Sequence, residues 1–393
     1  MPDETLGRRD FMISSLATVG ASAALIATAG GVNAQDAGTP AITSNGTAYT
    51  GDVIRGKKVI SALDVNDLES GRKHMLFFQG VEMPSGQHWY VSVIVARGAR
   101  PGKRAALISG VHGDEISPVA MIHNVMDRLD PAKMSGTVMA VTDVSRPALE
   151  AMARRWPNSG RGADLIDMNR EWPGNENGAT ATSRHAWLLF NRLLRPNADF
   201  AIDFHTGTTG LDVTAFNIAR MDLPEVKAMV DLYPVAQIFD NPVYPGVLAN
   251  EFLAVGIPSF TPEMGRARVV DPEMIAMFGE GTINVLKHYG IVTGPMGRTG
   301  KDVAVFTGNS AFPVVATAGG FVEHLVKLNE KVGPGQKLAV QRNGFGEVVA
   351  EYVCGVSGEV TGLRSDATSE PGNILAFVLF SQPTPADKPE YPE

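Results

Sequence analysis

Two short segments carry the residues whose types and spacing suggest chemistry. Gly110-Val111-His112-Gly113-Asp114-Glu115 follows directly on the apolar run Ala105–Ser109. A histidine and a carboxylate three residues apart can grip one metal ion from a single turn, and the glycine between them helps the backbone bend around it. His205 stands ninety residues beyond Glu115, in Asp203-Phe204-His205-Thr206-Gly207, at the end of another apolar run. Two ligands close together and a third far along the chain is the usual economy of a catalytic zinc centre, which keeps its fourth position open. A structural histidine explains most isolated His-x-x-Glu patterns; the second strand-end histidine favours His112, Glu115 and His205 as ligands of one Zn2+. Asp203, two residues before His205, has two readings: it orients that histidine or caps a turn.

Elements must place these segments together. Met75–Phe78 and Trp89–Ala96 read as strands joined by the turn Met83-Pro84-Ser85-Gly86-Gln87. Ala105–Ser109, Thr137–Val141 and Phe200–Ile202 read as buried strands. Ser117-Pro118 predicts a helix start, with Ser117 as cap and Val119, Ile122, Met126 and Leu129 as the apolar stripe. Trp187–Leu194, Glu225–Tyr233 and Met274–Tyr289 read as further helices. This alternation predicts an α/β fold with a mixed central sheet flanked by helices. In such sheets ligands gather beyond the carboxyl ends of strands, where both segments fall. His123, on the helix after the first segment, is expected at the core edge and not as a fourth ligand.

The pattern changes after Gly294-Pro295-Met296-Gly297. From Val303 to Phe380 short β runs and frequent glycines predict a C-terminal all-β domain. Gly319-Gly320-Phe321 and Val332-Gly333-Pro334-Gly335 resemble the barrel-sandwich fold of lipoyl and biotinyl carriers. The turn Asn343-Gly344-Phe345-Gly346 lacks the lysine to which a carrier attaches its cofactor, which argues against that function. The expected boundaries are an export signal at 1–34, a catalytic domain at 35–297 and the β-domain at 298–393. Gln35 to Asp52 reads as an unstructured lead-in.

The 393 residues carry 34 Lys+Arg against 42 Asp+Glu, a formal charge of −8, which argues against nucleic acid as partner. Cys354 is the only cysteine, so an intrachain disulfide and a Cys-rich metal site are excluded. Arg8-Arg9-Asp10-Phe11-Met12, the weakly apolar run to Ala29 and Val32-Asn33-Ala34 resemble a twin-arginine signal cleaved after Ala34. The expectation is a periplasmic protein without stable membrane insertion once the signal is removed.

Gly110–Glu115, Asp167-Met168-Asn169-Arg170, Asp203–Gly207 and Pro262-Glu263-Met264-Gly265 occur in the order of one known family. Over residues 100 to 290 the chain resembles the succinylglutamate desuccinylase and aspartoacylase family, a branch of the zinc carboxypeptidase-like superfamily. The resemblance implies that His112, Glu115 and His205 hold zinc and that Glu263 accepts a proton from the attacking water and returns it to the departing amine. It further implies that Asn169 and Arg170 hold a substrate carboxylate, that Arg161 polarises the scissile carbonyl and that Asp167 orients His112. Arg266 and Arg268 follow the Glu263 motif, with two readings: an additional anion pocket or a solvated loop. The implied activity is a zinc amidohydrolase that removes an N-acyl group from an amino acid or similar small amide carrying a carboxylate. Esters are a related substrate class. The alternatives are a periplasmic carboxypeptidase acting on peptides or cell-wall fragments, and a non-catalytic anion-binding protein.

Overall fold

The computed structural model describes residues 46–158, 164–240 and 244–383; the segment expected to be an export signal and Arg161 lie outside the described residues. The expected lead-in ends early, because Ala48–Ile54 is already a strand, β1, paired antiparallel with β2 (Lys57–Ala62). β3 (Arg72–Glu82) and β4 (His88–Arg97) form a longer hairpin across the expected turn. Cross-strand pairing of Leu76 with Val93 and of Phe78 with Val91 gathers these side chains onto one buried face.

β5 (Arg100–Ile108) and β6 (Ser135–Val141) end in runs buried on both faces, and they pair in parallel. Helix α1 (Ser117–Arg128) lies between them in sequence. After β6 come α2 (Arg146–Glu150), the small antiparallel pair β7 (Trp156–Asn158) and β8 (Asp164–Ile166), and α3 (Ala181–Leu189). β9 (Phe200–Asp203), β10 (Leu211–Val213), β11 (Ala215–Ala219), α4 (Pro224–Val230) and β12 (Gln237–Asp240) follow. Next are α5 (Leu248–Ala254), β13 (Ser259–Met264) and α6 (Pro272–His288).

Helix α1 departs from expectation at its start. The cap position is Ile116, with no side-chain hydrogen bond. The Ser117 hydroxyl instead donates to Val269 O and accepts from Asp271 N, tying the helix start to a segment distant in sequence. A missing cap costs about 1 kcal/mol, whereas fully burying one large apolar side chain is worth about 1.5–3 kcal/mol. Met121, Ile122, Val125 and Met126 are all buried, in one cluster with Phe278 and Val285 of α6, so packing outweighs the missing cap. Val119, expected in the stripe, is only partly buried, and His123 is exposed instead of standing at the core edge.

Short strands then dominate: β14 (Phe306–Gly308), β15 (Ser310–Val315), β16 (Gly320–His324), β17 (Lys331–Val332) and β18 (Lys337–Arg342). β19 (Val348–Val353), β20 (Gly358–Arg364), β21 (Thr368–Ser369) and β22 (Ile374–Phe380) complete the series. Among the described residues, eleven strands form one mixed sheet in the order β1-β2-β3-β4-β6-β5-β9-β13-β11-β12-β14. The C-terminal region forms two antiparallel sheets, β10-β20-β22-β15 with β17 on β20, and β19-β18-β16-β21. Leu338 and Tyr352 from one and Val360, Leu375 and Val378 from the other share a single core.

The two regions exchange strands. β14 extends the central sheet beside β12, and β10, just after His205, pairs with β20 of the C-terminal sheet. A buried polar bridge reinforces the junction: Thr214 Oγ1 donates to Gln237 Oε1 (2.7 Å) and Gln237 Nε2 donates to Glu359 Oε2 (3.1 Å). Gln237→Ala leaves Thr214 and the buried carboxylate without these partners, at a cost of about 2 kcal/mol. Urea unfolding should show a lowered midpoint with unchanged slope; an unchanged midpoint would mean that the bridge contributes nothing.

Candidate metal centre

β5, β9 and β13 are neighbours in the sheet and run parallel, so their carboxyl ends open side by side. The segment after β5 carries His112 and Glu115, His205 stands two residues beyond the end of β9, and Glu263 lies on β13. His205 and Glu263 face one another as a parallel backbone bridge, with His205 N donating to Pro262 O and Met264 N to His205 O. The first segment is held from below by close packing. A Cβ on Gly113 would lie 2.0 Å from the Ala148 carbonyl carbon of α2, so only glycine lets the two backbones approach this closely.

His112, Glu115 and His205 are buried, and their donor atoms converge. His112 Nδ1 lies 2.8 Å from Glu115 Oε1, His205 Nδ1 lies 2.8 Å from Glu115 Oε2, and the two Nδ1 atoms are 3.1 Å apart. The opposite ring nitrogens are engaged elsewhere: His112 Nε2 is 3.0 Å from Asp167 Oδ1 and His205 Nε2 is 3.0 Å from Asp203 Oδ2. Asp203 thus orients its histidine, the first of its two readings. Carboxylates on both Nε2 atoms leave both Nδ1 lone pairs for a cation, the arrangement that metal-binding histidines use. Donor atoms of a tetrahedral site with nitrogen and oxygen ligands stand about 3.3 Å apart. The three residues therefore fit a divalent cation in both donor type and spacing.

The charges agree with this. Burial pushes the Glu115 carboxyl up, but the pull of His112 and His205 prevails and holds it well below the ordinary carboxylate range. For Asp167 burial is likewise outweighed, by the His112 hydrogen bond and by His112, Arg154 and Arg170 nearby. Burial lowers His205, but Asp203 and Glu115 raise it well above its ordinary value, so the site favours a positive charge at this point. A proton and a metal ion compete for such a position. Glu263 behaves oppositely: burial, aided by Glu115 and Asp203 against His205 and Arg154, pushes it up to about 8. Its Oε2 is buried and unpartnered among the described residues.

Asn169 is buried next to this group: its Nδ2 lies 3.4 Å from His205 Nε2 and its Oδ1 accepts from Leu248 N. Gly246, at φ +85°, presses on the backbone of Arg170, where a Cβ would lie 2.6 Å from Arg170 O. Arg170 is exposed and donates to Asn169 O. Arg266 and Arg268 are exposed, and among the described residues neither side chain forms an ion pair, an arrangement that both readings share. Arg268 nevertheless matters through its backbone, since its N donates to Asp114 O at φ +62°. Arg154 is a residue that sequence reasoning missed. Its Nη1 donates to Glu115 Oε1 (3.1 Å) and its Nη2 is 3.5 Å from Asp167 Oδ2, while 31% of the side chain stays accessible. The available signal was the basic pair Arg154-Arg155 thirteen residues before Asp167 and Met168.

Residues 101–289 match the succinylglutamate desuccinylase/aspartoacylase catalytic domain. This region belongs to that family of hydrolytic deacylases. Over 298 residues the chain is 26% identical to the N-alpha-acetyl-L-2,4-diaminobutyric acid deacetylase of Halomonas elongata, covering 72% of this chain and 84% of the relative. Its fold is similar to that of the succinylglutamate desuccinylase/aspartoacylase of Rhodobacter sphaeroides (TM-score 0.70, 22% identity, 81% of this chain and 98% of that one). It is equally similar to the product-bound ectoine utilization protein EutE (DoeB) of Ruegeria pomeroyi (TM-score 0.70, 22% identity, 86% and 100%).

The packing under Gly113 makes a direct prediction. Gly113→Ala forces the segment bearing His112 and Glu115 away from α2, at a cost of about 1–3 kcal/mol. Metal content per chain and the thermal midpoint should both fall; a variant with full metal content and an unchanged melt would contradict the role given to this contact.

Proposed function

We propose that the protein is a zinc-dependent deacylase that cleaves the amide of a small N-acyl amino acid, with an Nα-acetyl diamino acid as the first candidate. The observation that carries this reading is the unpartnered, buried Glu263 Oε2 beside the converging His112, Glu115 and His205. The N-acetyl-diaminobutyrate deacetylase relative supports amide deacylation. The donor set, two imidazoles and a carboxylate without sulfur, supports zinc in a hydrolytic role. Zinc held there supplies Lewis acidity and a nucleophile usable at neutral pH.

The chain's own residues do the rest. Glu263 takes a proton as water adds to the acyl carbon, and returns it to the amine nitrogen as the carbon–nitrogen bond breaks. A carboxyl raised by burial suits the second half of this exchange, since it holds the proton for the amine, and the positive charge of a bound cation would lower it and so serve the first half. Arg154 offers its accessible edge to the acyl oxygen as negative charge gathers there. Arg161, outside the described residues, is the second candidate for that task. Asn169 Nδ2 and the Arg170 guanidinium bind the substrate carboxylate, a planar donor set that matches its two oxygens.

Amine release from Nα-acetyl-diaminobutyrate, other N-acyl amino acids, short peptides and an ester tests the reading. Zinc-dependent release from the acyl amino acids is expected, abolished by chelation. Glu263→Gln should lower kcat by about 10²–10⁴-fold while leaving the zinc content intact. Release from peptides alone would sink the deacylase reading in favour of a carboxypeptidase. Arg154→Ala and Arg161→Ala, compared side by side, identify the oxyanion arginine as the one whose loss lowers kcat without raising KM.

A further inference from the structure

We propose that Asp114, a residue with no ligand role, is the positioning residue that sets the separation between the two halves of the metal centre. Asp114 lies between His112 and Glu115 in sequence, yet its side chain takes no part in their cluster. It is fully buried, and its Oδ2 accepts from Thr209 Oγ1 (2.8 Å) and Thr209 N (3.0 Å). Thr209 is four residues beyond His205. The Asp114 carbonyl accepts from Arg268 N (2.7 Å), five residues beyond Glu263. One residue thus fastens the segment bearing His112 and Glu115 to those bearing His205 and Glu263.

Other ties cross this junction as well. Phe204 N donates to Ile108 O (2.8 Å), and the Ser117 hydroxyl donates to Val269 O and accepts from Asp271 N, but none of these touches a residue between the two ligands of the first segment. Thr206 N donates to Glu115 Oε2 (3.1 Å) and Gly207 N to Gly265 O (2.8 Å). The first uses a carboxylate that belongs to the metal centre itself, so it cannot hold the segments apart from that centre. Beyond Thr209 the chain enters β10, which is committed to β20. The His205 segment is therefore pulled towards the C-terminal sheet at one end and held to the metal-binding segment at Asp114. Asp114 Oδ1 is buried without a partner among the described residues, an unfavourable state for a carboxylate oxygen that contributed only to packing. Arg268 pays for its hydrogen bond with a left-handed backbone, which favours glycine.

This inference rests on the metal reading above. Its test measures zinc dissociation constants by chelator competition on folded protein, alongside the thermal midpoint of the metal-free form. Asp114→Ala should weaken zinc binding by about 10- to 100-fold, as loss of a group that orients ligands does. Asp114→Asn should restore affinity close to wild type, because the amide oxygen still accepts both Thr209 hydrogens. Thr209→Val, which loses one of the two hydrogen bonds, should weaken zinc binding to a smaller extent. Wild-type affinity in Asp114→Ala overturns the proposal, as does an Asp114→Asn variant as weak as the alanine. If the alanine variant does not fold, Thr209→Val decides, and an unchanged constant there overturns it. A wild-type protein that binds no zinc would instead refute the metal reading itself.

Discussion

Glu115 has almost no contact with solvent, and a buried carboxylate is tolerated only when donors surround it. Here they are His112, His205, Thr206 N and Arg154, contributed by three separate parts of the chain. None of the four can be moved without exposing a charge to a medium that cannot solvate it. The convergence of the two imidazoles, the position of the loop after β9 and the orientation of Arg154 all follow from this requirement. Asp167 and Asp203 extend it outward, each neutralising the far side of one ring.

The sheet makes the convergence geometrically possible. Adjacent strands lie about 4.8 Å apart, so three neighbours β5, β9 and β13 bring their carboxyl ends within reach of side chains a few atoms long. β13 accommodates Pro262 between two neighbours, a position where proline is rare because it cannot donate to the ladder. Its carbonyl is the group used, accepting from His205 N. The strand therefore needs no amide there, and the residue that follows is Glu263.

Much of the fold and of the site could be read in the sequence because those features are local. The spacing of His112 and Glu115 lies within one turn, and Ala105–Ser109 and Phe200–Ile202 are continuous apolar runs that can only be buried. The features that escaped depend on contacts between distant segments. Ser117 carries a capping residue's chemistry but spends it on Val269 and Asp271, more than 150 residues away. Arg154 lies in a stretch with no periodic pattern, and only the folded loop turns it towards Glu115. β13 escaped because a proline interrupts its run, and β10 because three residues have no signature apart from the strand that pairs with them. Asn169 has a double allegiance that no motif conveys: its oxygen secures the Leu248 backbone while its nitrogen faces His205.

The exchange of β10 and β14 between the central and C-terminal sheets has a bearing on how such a chain can vary over time. A region attached only by a linker can be lost, duplicated or replaced by recombination at that linker. Here each region completes the other's sheet, and the strand lent by the catalytic side begins six residues after His205. A crossover between them would sever a shared sheet, so recombination at that point would leave each region short of a strand.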